Sequence, residues 1–99
     1  MDISVDNKGG LCKMRLAGEF NIYQAAECKE RLAGCLAGAR TMEIDLGGVT
    51  EIDTSCIQIL ILGKREAGRL GKGFRLSVLS GAVETALDIY NLRGFFEEA

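Results

Sequence analysis

Asp53-Thr54-Ser55-Cys56 puts a carboxylate, two hydroxyls and a thiol in four consecutive residues, directly before the apolar run Ile57 to Leu62. Asp before such a run is a helix N-cap, so the hydroxyls fall in the first turn of a helix. The plainest reading of both hydroxyls is capping. They also stand where an anion is well tolerated. A phosphoryl group added there brings about −1.5 to −2 charges at neutral pH. It would meet free backbone N–H groups and the positive end of the helix dipole. The fold would absorb it, whereas a bound partner would meet like-charge repulsion or a buried phosphate. Glu51 and Asp53 already make the patch acidic. The Cys56 thiol, at a helix start, could have a lowered pKa and act as a redox sensor. The simpler reading is a small half-buried residue, since no basic residue lies close in sequence.

Other chemistry finds little support. The chain has no histidine, hence no imidazole for general-base work, and no GxxxxGK[ST] loop. Gly47-Gly48 reads as a strand-end turn rather than a phosphate cradle. Asp45, Glu51 and Asp53 could suggest a carboxylate metal site. However, Asp45 falls on the polar face of its strand and Asp53 is spoken for as a cap. The sequence therefore indicates no catalytic residue, no metal and no cofactor, and a protein that is not an enzyme.

The elements that must position this segment follow from periodicity. Met42, Ile44 and Leu46 alternate with Glu43 and Asp45, a strand with one buried face. Gly47 and Gly48 are expected to break it. The helix from Thr54 should run to Leu70 and stop at Gly71. Upstream, Asp2 to Asp6 and Leu11 to Ala17 alternate around the turn Asn7-Lys8-Gly9-Gly10, an antiparallel hairpin. Gly18-Glu19-Phe20-Asn21 reads as a loop whose Asn21 caps a helix, with Gln24 completing a capping box. Ala25, Cys28, Leu32, Cys35, Leu36 and Ala39 form its apolar stripe. Downstream, Phe74, Leu76 and Val78 should share one face of a strand. Ser80 should cap a last helix with Val83, Ala86, Leu87 and Tyr90 buried. Leu92, Phe95 and Phe96 should fold back onto the core.

The order β-β-α-β-α-β-α, with every strand alternating, implies right-handed crossovers that put the helices on one face. The expected fold class is α/β: a mixed four- to five-stranded sheet with helices mainly on one face and the other face largely open. Its 99 residues, 47 % apolar, suit a single domain over 1–99. A net charge of −2 with mixed signs gives no basic stripe for nucleic acid. No run approaches the roughly 18 apolar residues of a membrane span. MDISVDNKGG lacks the basic and apolar regions of a signal peptide, so a cytoplasmic location is expected. The four cysteines show no Cys-x-x-Cys spacing. Cys28 and Cys35 stand roughly 10 Å apart along a helix axis, too far for a disulfide. All four are expected to be reduced thiols used as small core residues.

Ile44-Asp45-Leu46 followed by Val49-Thr50-Glu51-Ile52-Asp53-Thr54-Ser55 resembles the central motif of the STAS domain, the anti-sigma-factor-antagonist family. Gly18-Glu19-Phe20-Asn21 is similar to that family's Gly-Glu-Leu-Asp loop, and Ser80-Gly81-Ala82-Val83 to its Ser-Pro-Ala-Val helix start. Asn21 stands where the family usually has Asp, and Cys56 where it usually has Gly. The resemblance implies a switch module. Thr54 would be phosphorylated by a partner kinase, with Ser55 the alternative acceptor. Unphosphorylated, the protein would bind a serine-kinase-like anti-sigma factor or related regulator; a phosphatase would reset it. The expected docking surface is the second helix plus the Gly18–Asn21 loop, with Asn21, Asp53, Ser55, Cys56, Gln58, Ile59 and Leu62. A monomer or weak dimer is expected. The alternative within the family is a constitutive scaffold, or a cytoplasmic subunit of a transporter or chemotaxis-type complex, never phosphorylated.

Overall fold

A computed structural model describes residues 2–97; Met1, Glu98 and Ala99, part of the single domain expected over 1–99, lie outside the described residues. The elements are β1 (Asp2–Lys8), β2 (Leu11–Phe20), α1 (Ile22–Gly38), β3 (Thr41–Ile52), α2 (Thr54–Arg69), β4 (Gly73–Leu79), α3 (Gly81–Ile89) and α4 (Arg93–Glu97). The strands form one sheet in the order β1-β2-β3-β4. The β1–β2 pair is antiparallel, whereas β2–β3 and β3–β4 are parallel. Each strand is thus laid beside its predecessor, the arrangement in which crossovers of one hand place their helices on one face.

Side-chain burial shows that face. Cys12, Met14 and Leu16 of β2 and Met42, Ile44 and Leu46 of β3 are fully buried, in one cluster with Leu32 and Leu36 of α1, Leu60 of α2 and Val83 and Leu87 of α3. The opposite face carries Lys13, Arg15, Glu43, Asp45 and Arg75 in cross-strand ion pairs. Local signals stop and start the helices as their chemistry requires. Asn21 and Gln24 form the capping box of α1. The α2 helix ends in a Schellman turn: Lys72 N–H bonds Ala67 O at 2.8 Å and Gly71 takes φ +70°. Ser80 Oγ accepts from Val83 N at 3.2 Å to start α3.

Several expectations need correction. Gly18-Glu19-Phe20 is not a loop, and Gly47-Gly48 does not end a strand: β2 and β3 stay paired through both, with Ala17 opposite Gly48 and Phe20 opposite Ile52. Register shifts between Arg15 and Ala17 and between Gly18 and Glu19 absorb the irregularity. Gly48 allows the close approach, because a Cβ there would stand 2.9 Å from the Ala17 Cβ. In β4 the register shifts at Ser77, so Val78 turns outward and Leu79 packs on the core. Tyr90 is 49 % exposed rather than buried. Leu92, Phe95 and Phe96 do fold back, the two phenylalanines in a short extra helix that begins just after Leu92. The four cysteines are not all free: Cys12 and Cys35 are joined in a disulfide, their Cα atoms 5.9 Å apart. Spacing along one helix could not show this pair, because it forms where the α1 stripe crosses β2.

Candidate functional site

The site begins where β3 ends. Asp53 keeps an extended backbone, φ −107° and ψ 174°, and its N–H bonds Phe20 O at 3.2 Å, tying the ends of β2 and β3 together. Its side chain then serves two helices. Oδ1 accepts from Cys56 N at 3.3 Å and from the Ser55 hydroxyl at 2.6 Å. Oδ2 accepts from Ile22 N at 2.9 Å, the first residue of α1. One carboxylate thus satisfies orphan donors at two helix N-termini, where negative charge is favoured. The Ser55 hydroxyl above all, with the Cys56 and Ile22 donors, holds the Asp53 carboxyl below its ordinary range. Asn21 faces the same junction. Its Oδ1 accepts from Tyr23 N at 3.0 Å, a capping role that an uncharged amide fills as well as a carboxylate.

Four neighbouring residues receive four different settings. Thr54, the first residue of α2, is exposed, and Gln58 and Leu62 continue its line at i+4 and i+8. Ser55 is half-buried and its hydroxyl is committed to Asp53. Cys56 is fully buried, and that burial pushes its thiol up to about 12. A reactive thiolate is therefore the wrong reading of Cys56, and the side chain cannot meet a partner. Ile59 is buried as well, forming part of the wall of an apolar groove between α1 and α2 with Leu32, Leu36 and Leu62. Of the expected docking residues, Gln58 and Leu62 are exposed, Asn21, Asp53 and Ser55 are half-buried, and Cys56 and Ile59 belong to the core.

Three residues that sequence reasoning missed surround Thr54 and Asp53. Ile22 and Tyr23, at the α1 start that Asp53 caps, are 63 % and 88 % exposed. Tyr90, at the end of α3, brings its hydroxyl to 2.8 Å from Thr54 Oγ1. Signals for two of them were present. Tyr23 lies off the apolar stripe of α1, and Tyr90, placed in a buried stripe, carried a hydroxyl needing a polar partner. The site is therefore a hydroxyl on a half-exposed ledge, backed by an ionised carboxylate and flanked by large apolar side chains. Among the described residues, no group of three or more His, Cys, Asp or Glu side chains could hold a metal ion. No helix among the described residues is long and apolar enough to cross a membrane.

Comparison with known proteins agrees with this architecture. The chain resembles the crystal structure of an anti-sigma factor antagonist from Mycobacterium paratuberculosis, with a TM-score of 0.87 at 18 % identity, over 97 % of this chain and 82 % of that one. The anti-sigma factor antagonist SpoIIAA in its unphosphorylated form matches with a TM-score of 0.83 at 14 % identity, over 99 % of this chain and 88 % of that one. The Bacillus SpoIIAA in the phosphorylated form matches with a TM-score of 0.78 at 13 % identity, over 96 % and 87 %. At these identities the likeness is one of fold. No curated protein matches the sequence. The family model described as "Mlab, STAS domain" covers residues 3–97. The chain therefore belongs to the STAS domain family.

Proposed function

We propose that this protein is a phosphorylation-switched binding module with Thr54 as acceptor, acting as an anti-anti-sigma factor. The observation that carries the reading is the contrast between two adjacent hydroxyls. Thr54 is exposed at the first position of α2, whereas Ser55 is half-buried and donates to Asp53. A kinase reaching this helix start meets Thr54 first. Unphosphorylated, the surface of Thr54, Gln58 and Leu62, extended by Ile22 and Tyr23, docks on a serine-kinase-like anti-sigma factor. Phosphate on Thr54 adds charge beside the ionised Asp53, in the middle of that contact, and releases the partner. The fold bears the change, because the helix start favours an anion. A phosphatase restores binding. The relative of known structure in a phosphorylated form supports the reading by analogy of fold.

The test combines the chain, a serine-kinase-like anti-sigma factor and ATP, and locates the added mass. Modification of Thr54, absent from Thr54→Ala, is expected. Thr54→Glu should bind the partner at least tenfold more weakly than Thr54→Ala. Equal binding by the two variants, with no mass added by an active kinase, would instead indicate a constitutive scaffold.

A further inference from the structure

We propose that Tyr90 is a positioning residue that governs access to Thr54: its phenol holds Thr54 Oγ1 in the unmodified protein and must leave that oxygen before a phosphoryl group is added. This rests on the reading of Thr54 as acceptor and specifies how that site is regulated. The two oxygens stand 2.8 Å apart, although 36 residues separate them in the chain. Transfer from ATP forms a bond from Thr54 Oγ1 to the γ-phosphorus and breaks the bond from that phosphorus to the bridging oxygen. ADP leaves with the electron pair, and the hydroxyl proton passes to a base of the kinase. The attacking oxygen therefore needs a free lone pair aimed at the phosphorus and a path for its proton. Tyr90 occupies one of these directions. After transfer, the phosphate oxygens claim the space beyond Oγ1 where the phenol now sits.

The surroundings make Tyr90 a gate that opens without disturbing the core. Its backbone is anchored: Tyr90 N–H bonds Ala86 O at 3.3 Å, and Leu92 N–H bonds Leu87 O at 2.8 Å around Asn91 at φ +56°. Its side chain is half exposed. The phenol can rotate into water while α3 keeps its place. No such release is open to Ser55, whose hydroxyl donates to a carboxylate that also caps two helices.

The experiment follows Tyr90→Phe, which keeps the ring and removes only the hydroxyl. With the kinase and ATP, Tyr90→Phe is expected to be phosphorylated at Thr54 roughly fivefold faster than the wild type, as for loss of one neutral hydrogen bond. The scalar coupling between Thr54 Hα and Hβ should move toward a rotamer average, and the folding equilibrium should weaken by no more than the same roughly fivefold factor, since one hydrogen bond of the folded state is lost. An equal or slower rate in Tyr90→Phe overturns the gate while leaving Thr54 as acceptor. If neither protein is modified by a kinase active on another antagonist, the acceptor reading fails and the gate falls with it. The coupling then still reports whether the Thr54–Tyr90 bond exists.

Discussion

At the scale of single residues, Asp53 holds the site together. Its carboxylate receives the Ser55 hydroxyl and the backbone N–H groups of Cys56 and Ile22, so truncation removes an N-cap and leaves donors at two helix starts unpaired. Asp53→Ala should lower stability by roughly 2 kcal/mol, above an ordinary cap because the acceptor is charged and shared. Urea denaturation measures it, and Asp53→Asn should recover part of the loss. Cys56 gives the opposite kind of expectation. It and Cys28 are the free cysteines among the described residues, both are buried, and burial pushes both thiols up to about 12. Native protein at pH 8 should therefore take up no iodoacetamide, and denatured protein should be alkylated at both. Labelling of Cys56 in the native state would reinstate the redox reading. The residue types at the helix start were legible in the sequence because capping is local. The need of the Tyr90 hydroxyl for a partner was legible too, but not that the partner is Thr54, which lies on another element.

At the scale of elements, glycines separate what the sequence shows from what needs the third dimension. The starts of α1, α2 and α3 and the end of α2 were read nearly as observed, because caps and stripes are properties of one segment, whereas the short α4 was not read as a helix. Gly34 lies inside α1, which continues to Gly38. A Cβ at Gly34 would meet nothing within 4 Å. Gly34→Ala should accordingly stabilise the protein by roughly 0.5–1 kcal/mol, the helix propensity difference. Gly48 is the contrary case. A methyl there would come within 2.9 Å of the Ala17 Cβ and 3.3 Å of its Cα, between strands that cannot easily part. Gly48→Ala should destabilise by roughly 1–3 kcal/mol, as overpacking does. Thermal unfolding of the two variants, with shifts of opposite sign, checks both. The strand ends were illegible for the same reason that Gly48 is intolerant. Whether Gly47-Gly48 ends a strand depends on what lies opposite, and here Ala17 stands opposite Gly48 and Gly18 opposite Val49, so the pairing runs on. A register shift likewise reversed Val78 and Leu79, and a packing contact joined Cys12 to Cys35.

At the scale of the molecule, two ionised carboxylates lie in separate hydrogen-bond networks, and together they predict how the fold responds to acid. Asp53 sits at the junction of α1, α2 and the ends of β2 and β3. Glu43 lies on the face of the sheet away from the core, between Arg75, whose Nε bonds it at 2.8 Å, and Lys13 at 3.5 Å; only 5 % of it remains exposed. That covering explains how a sheet can leave one face without helices. Three strands share a row of opposite charges there, and the row keeps the face polar and unattractive to a second sheet. The Arg75 hydrogen bond above all, with the charges of Arg75 and Lys13, holds the Glu43 carboxyl below its usual range. Both folded-state values are thus lower than the unfolded ones, which are roughly 4. Such groups contribute their full stability above the unfolded value and lose it as pH falls through the folded one, because the unfolded chain then binds more protons. The free energy of unfolding should be level with respect to these groups near neutrality and decline below about pH 4. Glu43→Gln and Asp53→Asn should each flatten that decline. Sharing no hydrogen-bond partner, they should flatten it additively in the double variant. Urea titrations from pH 2 to 7 measure the slopes; an acid limb as steep in the double variant as in the wild type would assign it to other carboxylates.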